Sequence, residues 1–206
     1  MSIHTGKALN IDISTRCALE CPACQRTIFR KAGKRVPGKD VTLAQFDKIS
    51  DHFANGGRIS FCGTFSDPIF NPNFIDMLKM CHKKRIRAEV HTAASQKPER
   101  WYQEAFLANP EASWWFGIDG LPEQSHQYRI NQDGVKLFNI MLQAKKKVRE
   151  VIWQYLIFDY NRPQIKKAKL MARKYGVSIL FINTLRDGKR NEGKASRRKT
   201  RKASTE

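Results

Sequence analysis

The stretch LNIDISTRCALECPAC, residues 9–24, combines two patterns that decide which fold the chain should adopt. Residues 9–13 alternate apolar and polar side chains, which is the period-two pattern of a β-strand. Cys17, Cys21 and Cys24 follow directly and are three of only five cysteines in the 206-residue chain. The stretch therefore predicts a strand that runs into a loop of clustered thiols.

Strand patterns and helix patterns alternate along the rest of the chain. Thr42 with Gln45 three residues later forms a capping box, which predicts the start of a helix. From Phe74, apolar residues recur at positions i, i+3, i+4 and i+7, as on one face of a helix. Further helices are predicted to start near Pro98, Gly134 and Pro163, and the predicted strands are residues 9–13, 58–62, 88–91, 113–118, 151–158 and 177–182.

Six strands separated by helices predict a parallel sheet, because parallel neighbours need a long crossover connection. With right-handed crossovers, six such units make a curved and incomplete barrel rather than the closed barrel of eight. We therefore predict an α/β fold, a partial (βα)6 barrel with its helices on the outside. Side chains at the carboxyl ends of the strands, including the cysteine loop, are then expected to form the active site.

The composition predicts one domain with a basic tail. The chain is 41% hydrophobic, and no apolar run approaches the roughly 20 residues of a membrane helix. The N-terminal sequence MSIHTGKALN lacks the apolar stretch of a secretory signal, so we expect a cytoplasmic protein. We predict a core domain over residues 1–185 and a disordered tail over residues 186–206, which are rich in Lys, Arg, Ser and Gly.

Clustered thiols in a reducing compartment favour metal or redox chemistry over disulfides. A structural zinc ion takes four ligands, and the remaining cysteines, Cys62 and Cys81, belong to a strand pattern and a helix pattern. Three thiolates leave one metal position open, as suits an iron–sulfur cluster that binds a further molecule. A zinc site and a chance grouping of cysteines remain as alternatives.

The spacing C-x-x-x-C-x-x-C after the first strand resembles the hallmark of the radical S-adenosylmethionine (radical SAM) superfamily. The resemblance extends over about residues 8–184 and implies an enzyme consisting of the core domain. It implies that Cys17, Cys21 and Cys24 hold a [4Fe-4S] cluster whose fourth iron binds the cofactor S-adenosyl-L-methionine. No cysteine follows Cys81, so an additional cluster domain at the C-terminus is not expected.

A second motif, FCGTFSDPIFNP at residues 61–72, is similar to the glycine-rich stretch with which this superfamily holds the amino group of the cofactor's methionine. The resemblance places Gly63, Thr64, Ser66 and Asp67 at the cofactor. Glycine allows a close approach of the backbone, and a carboxylate pairs with an ammonium group. A plain turn with Asp before Pro is the alternative.

Three weaker matches follow along the chain. HTAAS, residues 91–95, shares Thr92 with the superfamily's third-strand motif, although a helix cap by Ser95 explains the stretch equally well. FGIDG, residues 116–120, resembles a fourth-strand motif in which many relatives have serine where this chain has Gly117. Arg129 matches the basic residue that pairs with the methionine carboxylate, and a solvated surface arginine is the alternative.

The resemblance implies reductive cleavage of S-adenosylmethionine to a 5′-deoxyadenosyl radical, with an electron donor of the flavodoxin or ferredoxin type. The substrate stays open between a peptide or protein, which the motif variants favour, and a nucleotide or nucleic acid, which the charge favours. A non-catalytic, nucleic-acid-binding iron–sulfur protein is a third possibility. The net charge is +19, and residues 26–39 contain six basic and no acidic residues, so we expect this loop and the tail to form a funnel for an acidic or phosphate-bearing substrate.

Overall fold

The computed structural model describes residues 6–184 and residue 186, and it contains one six-stranded parallel sheet. The strands pair in chain order, so β1 and β6 are the two edges of the sheet. This arrangement confirms the predicted α/β fold with six parallel strands and intervening helices. The strands are β1 (Ala8–Ile11), β2 (Arg58–Phe61), β3 (Arg87–Thr92), β4 (Ser113–Gly117), β5 (Glu150–Ile157) and β6 (Ser178–Asn183).

Helices connect successive strands, as the periodicity predicts. The capping box is confirmed, because the Gln45 amide donates to Thr42 Oγ1 at 3.2 Å and the Thr42 amide donates to Gln45 Oε1 at 3.0 Å. Short 3₁₀ turns cover residues 68–70, 122–127 and 162–164. The α-helices are α1 (Gln25–Lys31), α2 (Leu43–Asp51), α3 (Phe74–Lys83), α4 (Glu99–Ala108), α5 (Gly134–Ala144) and α6 (Ile165–Tyr175).

The segment after the third cysteine differs from the prediction. Residues 26–39 were expected to be an exposed basic loop, but Gln25–Lys31 form helix α1, which begins directly after Cys24. Arg26 is buried, and its guanidinium group donates to the carbonyl oxygen of Leu19 in the cysteine loop. Its charge is therefore directed into the protein, so Arg26 cannot belong to a surface funnel.

Aromatic side chains fill the core between the sheet and the outer helices. Phe74 of α3 contacts Phe61 of β2 with ring centroids 5.3 Å apart and Trp114 of β4 at 6.4 Å. The neighbouring Trp115 points to the other face of the sheet, where it is half-buried and stacks on His91 at 5.0 Å. One tryptophan of the pair is thus in the core, as the alternation of a strand requires.

The predicted tail, residues 186–206, lies outside the described residues except for Arg186. Within residues 6–184, no helix has both the length and the apolar composition needed to cross a bilayer.

Candidate functional site

A cavity of about 450 Å³ lies at the carboxyl ends of the first strands, where the cysteine loop and the loop after β2 meet. All three cysteines of the predicted cluster line it. Loops that are far apart in sequence meet here because parallel strands end at the same edge of a sheet. The other predicted site residues in its wall are Gly63, Thr64, Ser66, Asp67 and Arg129.

A second cavity of about 230 Å³ adjoins the first and extends over the sheet face that carries Trp115 and His91. It shares Asp67 and Arg129 with the first cavity and is also lined by Thr92. Every site residue predicted from the sequence therefore lines at least one of the two cavities. The prediction did not include several other side chains in the second wall, namely Cys62, His91, Gln154 and Arg186.

The cysteine loop is held by backbone contacts to the segment that contains Arg129. The Glu20 amide donates to the Ile130 carbonyl at 3.1 Å, and the side-chain amide of Asn131 donates to the Ala18 carbonyl at 3.2 Å. These contacts connect residues more than a hundred positions apart. The loop therefore depends on the completed fold for its shape.

The thiols of this loop are in surroundings that disfavour charge in the protein alone. Burial, with the nearby Asp67 carboxylate, raises the pKa of Cys17 to about 12, and burial also raises the pKa of Cys21. The amide of Leu19 donates to Cys17 Sγ at 3.4 Å, which favours the thiolate. A metal deprotonates a thiol that it coordinates, because its positive charge outweighs the cost of burial.

The three thiols line one space, which suits an iron–sulfur cluster. In the part of the chain that the structure describes, no three His, Cys, Asp or Glu side chains are close enough to hold one metal ion. A [4Fe-4S] cluster instead takes each thiolate on a different iron, so its ligands surround a wider space. The cavity that Cys17, Cys21 and Cys24 line offers such a space.

The loop after β2 is shaped by a residue that sequence reasoning missed. The Asp12 carboxylate, just beyond β1, accepts from the amides of Thr64 at 2.8 Å and Phe65 at 2.9 Å, and from the Ser66 hydroxyl. A Cβ atom on Gly63 would lie 2.0 Å from the Ser66 carbonyl oxygen. The turn itself therefore requires glycine at position 63. The sequence signal that could have identified Asp12 was a carboxylate directly after the first strand.

Asp67 is buried and accepts hydrogen bonds from the end of β3. Its carboxylate accepts from Thr92 Oγ1 at 2.9 Å and from the amides of Ala93 at 2.8 Å and Ala94 at 3.0 Å. Burial raises the pKa of Asp67, and these donors oppose the shift. Thr92 therefore contacts Asp67 directly, and the pair joins the loop after β2 to the end of β3.

Arg129 forms a buried ion pair, so the alternative of a solvated surface arginine is wrong. Its Nε lies 2.8 Å from Asp119 Oδ2, with 12% of the Arg129 side chain and none of the Asp119 side chain exposed. Asp119 Oδ1 also accepts from the Leu156 amide at 2.8 Å. A Cβ on Gly117 would lie 2.9 Å from Arg129 Nη2, which explains why this strand position carries no side chain.

The Ser95 hydroxyl, a predicted helix cap, caps no helix, and neither does the side chain of Asn161. The Ser95 hydroxyl accepts from the Asp133 amide at 2.8 Å, and α4 begins after Pro98 instead. The buried Asn161 side chain donates to the Leu156 carbonyl and accepts from the Phe158 amide, both at 2.9 Å. Both side chains stabilise loops at the edge of the sheet where the cavities open.

Comparison with known proteins gives matches in structure and none in sequence. No protein-family model matches the chain, and no curated protein matches its sequence. Streptococcus suis SuiB bound to S-adenosylmethionine shares 11% identity over 86% of this chain, with a TM-score of 0.67. TYW1 with a lysine-pyruvate adduct bound shares 12% over 87% with a TM-score of 0.59, and methylornithine synthase (PylB) shares 14% over 93% with a TM-score of 0.63.

These matches concern the fold. The chain spans 40% of the SuiB chain, 65% of TYW1 and 59% of methylornithine synthase, so it corresponds to a part of each. All three are radical SAM enzymes, and this chain shares their fold. The predicted α/β fold with six parallel strands is thus confirmed.

Proposed function

We propose that this protein is a radical SAM enzyme that binds a [4Fe-4S] cluster and S-adenosyl-L-methionine in the larger cavity. One observation carries the proposal: three cysteines from a single loop line the same cavity as Gly63, Asp67 and Arg129, at the carboxyl ends of a radical SAM sheet. Neither the three cysteines alone nor Gly63, Asp67 and Arg129 alone would indicate this chemistry so specifically. A structural zinc site would leave these last three residues without a role.

In this proposal Cys17, Cys21 and Cys24 are the cluster ligands. The Leu19 amide, which donates to Cys17 Sγ, stabilises negative charge on a ligand thiolate. The buried guanidinium of Arg26 donates a hydrogen bond to the Leu19 carbonyl and so stabilises the cysteine loop. When bound, the reduced cluster would supply the one electron that cleaves S-adenosylmethionine to methionine and a 5′-deoxyadenosyl radical, which would abstract a hydrogen atom from the substrate.

The opposite wall provides groups of suitable charge for the cofactor's methionine end. Asp67 offers a carboxylate to an ammonium group, and Arg129 offers a guanidinium group to a carboxylate. Asp67 already accepts from Thr92 and two amides, so the ammonium would share its oxygens with these donors. Gly63, Thr64 and Ser66 would bring backbone close to the cofactor.

We propose a peptide or protein as the substrate and the cytoplasm as the location, with a flavodoxin or ferredoxin as the electron donor. In support, one of the similar structures is SuiB bound to its precursor peptide SuiA. The SuiB chain in that structure shares 12% identity with this chain, with a TM-score of 0.67. The second cavity, lined by His91, Gln154 and Cys62, would receive the reacting group. Burial lowers the pKa of His91, so a neutral imidazole would face that group.

A nucleotide or nucleic acid is the second candidate substrate, favoured by the net charge of +19. After the correction for Arg26, the exposed basic residues that follow the cysteine loop are Arg30, Lys31, Lys34, Arg35 and Lys39. Arg30 forms an exposed ion pair with Glu20 at 2.8 Å. A non-catalytic, nucleic-acid-binding iron–sulfur protein would share this surface but would not cleave the cofactor.

The test is anaerobic reconstitution with iron and sulfide, followed by dithionite, S-adenosylmethionine and mass spectrometry of 5′-deoxyadenosine. We expect slow formation without substrate, and none in Cys21→Ser. Asp67→Ala should weaken cofactor binding by roughly ten- to a hundredfold, because one charge-assisted hydrogen bond is lost. A wild-type protein that binds the cluster and never forms 5′-deoxyadenosine would contradict the proposal and favour the non-catalytic alternative.

A further inference from the structure

Helix α6 presents a dense positive charge that the protein itself does not neutralise. Between residues 160 and 186 the sequence contains no Asp or Glu. In the described part of the chain, no basic side chain of α6 forms an ion pair with a carboxylate. The exposed basic residues of the helix are Lys166, Lys167, Lys169, Arg173 and Lys174.

Three of the other outer helices are balanced, while α1 and α5 also lack acidic residues but carry three and one basic residues against the five of α6. Helices α2, α3 and α4 together carry five acidic and four basic residues. On this side of the protein Lys79 pairs with Asp76 at 2.9 Å, and Lys84 pairs with Asp47 at 2.6 Å. What distinguishes α6 is therefore that none of its five cations pairs with a described carboxylate, whereas Arg30 of α1 pairs with Glu20.

Helix stability does not explain the charge. Cations stabilise the C-terminal turn of a helix through the helix dipole, which accounts for Arg173 and Lys174. Lys166 and Lys167 lie in the first turn, where the dipole is positive and cations are unfavourable. Lys166 and Lys167 therefore lower the stability of the helix. Binding of an external anion explains their presence better than helix stability does.

Apolar and aromatic groups lie among these charges. Leu170 has 63% of its surface exposed, whereas the ring of Tyr175 packs against Phe138 of α5 with ring centroids 5.5 Å apart. Lys169 Nζ lies 5.5 Å from the ring centroid of Phe181 on the edge strand β6. A surface that alternates cations with accessible apolar side chains suits a single-stranded nucleic acid, because its phosphates meet the cations and its unpaired bases meet the apolar groups.

We propose that the exposed face of α6, defined by its five basic residues with Leu170, is a docking surface for a single-stranded nucleic acid. Lys166, Lys169 and Arg173 lie on one side of the helix and span about 10 Å along its axis. They contact the phosphates, and Leu170, which lies beside Lys166 and Arg173 on the helix surface, packs against an unpaired base. The surface is separate from residues 26–39 and from both cavities, so this proposal does not depend on radical chemistry.

The test measures binding of a labelled single-stranded RNA of about 20 nucleotides to the full chain by fluorescence anisotropy at several salt concentrations. The α6 variant carries Lys166→Gln, Lys169→Gln, Arg173→Gln and Lys174→Gln, which preserve helix propensity. We expect its Kd to rise at least tenfold. The slope of log K against log salt should fall by about 2, as for the loss of three phosphate contacts to a single strand.

A control variant removes the same number of charges from α2, α3 and α4, through Lys48→Gln, Lys79→Gln, Lys83→Gln and Arg100→Gln. Its Kd should stay within about twofold of wild type, because these residues lie on the balanced side. Equal weakening in both variants, or none in the α6 variant, overturns the proposal. So does an RNA duplex bound as tightly as the single strand, or α6-dependent binding that occurs only to phosphatidylserine vesicles. Circular dichroism and thermal unfolding confirm that both variants fold.

Discussion

Arg129, in the wall of the larger cavity, forms an ion pair from its Nε to Asp119 Oδ2 at 2.8 Å, and the carboxylate behind it has no exposed surface. Asp119 lies just after β4 and also accepts from the Leu156 amide, so it is fixed to β5 as well. Arg129 is thereby held at one position beside the cysteine loop. A cation so placed is preorganised for an anionic ligand, because it needs no reordering when the ligand binds.

We expect Asp119→Asn to lower the free energy of unfolding by about 3 kcal/mol or more, because it leaves a buried guanidinium group without its counter-ion. Asparagine keeps the acceptor for the Leu156 amide, so the change isolates the charge. The double variant with Arg129→Gln should be more stable than Asp119→Asn alone, as measured by urea denaturation.

Arg30 supplies a matched control for this cycle. It pairs with Glu20 at the same 2.8 Å, but 54% and 45% of the two side chains are exposed. Arg30→Gln should cost less than about 1 kcal/mol. Additive effects of the two substitutions in the Asp119–Arg129 pair would contradict the assignment of a coupled buried ion pair.

The cysteines should divide into two groups by iron content. We expect about four irons per chain after reconstitution, and their loss when Cys17, Cys21 or Cys24 is replaced by Ser. Cys62→Ser and Cys81→Ser should leave the iron content unchanged, because Cys81 is buried under the sheet and Cys62 lines only the second cavity. Iron and sulfide analysis with absorption spectra is the measurement, and loss of iron in either of the last two variants would refute the ligand set.

Gly63→Ala should disturb the site more than the fold. The new Cβ would lie 2.0 Å from the Ser66 carbonyl oxygen, so the loop held by Asp12 must move. We expect binding of S-adenosylmethionine to the reconstituted protein to weaken at least tenfold, or about 1.4 kcal/mol by calorimetry.

Gly33→Ala is the control for that substitution. Gly33 has a φ of +64° but has open space around its Cβ position, so alanine there strains the backbone without a collision. Gly33→Ala should lose about as much stability as Gly63→Ala and keep normal cofactor affinity. Equal cofactor binding by both variants would show that the turn at Gly63 is not part of the site.

Cys81 should make stability depend on alkaline pH. Burial raises the pKa of its thiol from 9.0 to about 12 in the folded protein. Below about pH 9 the thiol is neutral in both states, whereas above it only the unfolded chain ionises, so stability falls as the pH rises towards 12. Between about pH 7 and about pH 10.5 this group should account for a loss of about 2 kcal/mol. In Cys81→Ala that part of the loss should vanish, and an identical pH dependence in urea denaturation of both proteins would contradict the burial effect.

Periodicity predicted the elements closely because it is a local property. The predicted strand at residues 113–118 is β4, Ser113–Gly117, and the helix predicted to start near Gly134 is α5, which begins there. Helix α1 was missed because it has only seven residues, and apolar residues do not recur along it with a helical period. Its first turn is fixed by Arg26, whose contact with Leu19 is tertiary.

The sequence by itself determined the order of strands and helices and the place of the cysteine loop after the first strand. Spacing and alternation along the chain were sufficient for these, because each depends on neighbours within a few positions. Only the tertiary structure decided the partners of the polar groups: Asp12 with the 63–66 loop, Asp67 with Thr92, and Arg129 with Asp119. Such pairs join separate strands, and their geometry exists only once the parallel sheet brings the strand ends to one edge.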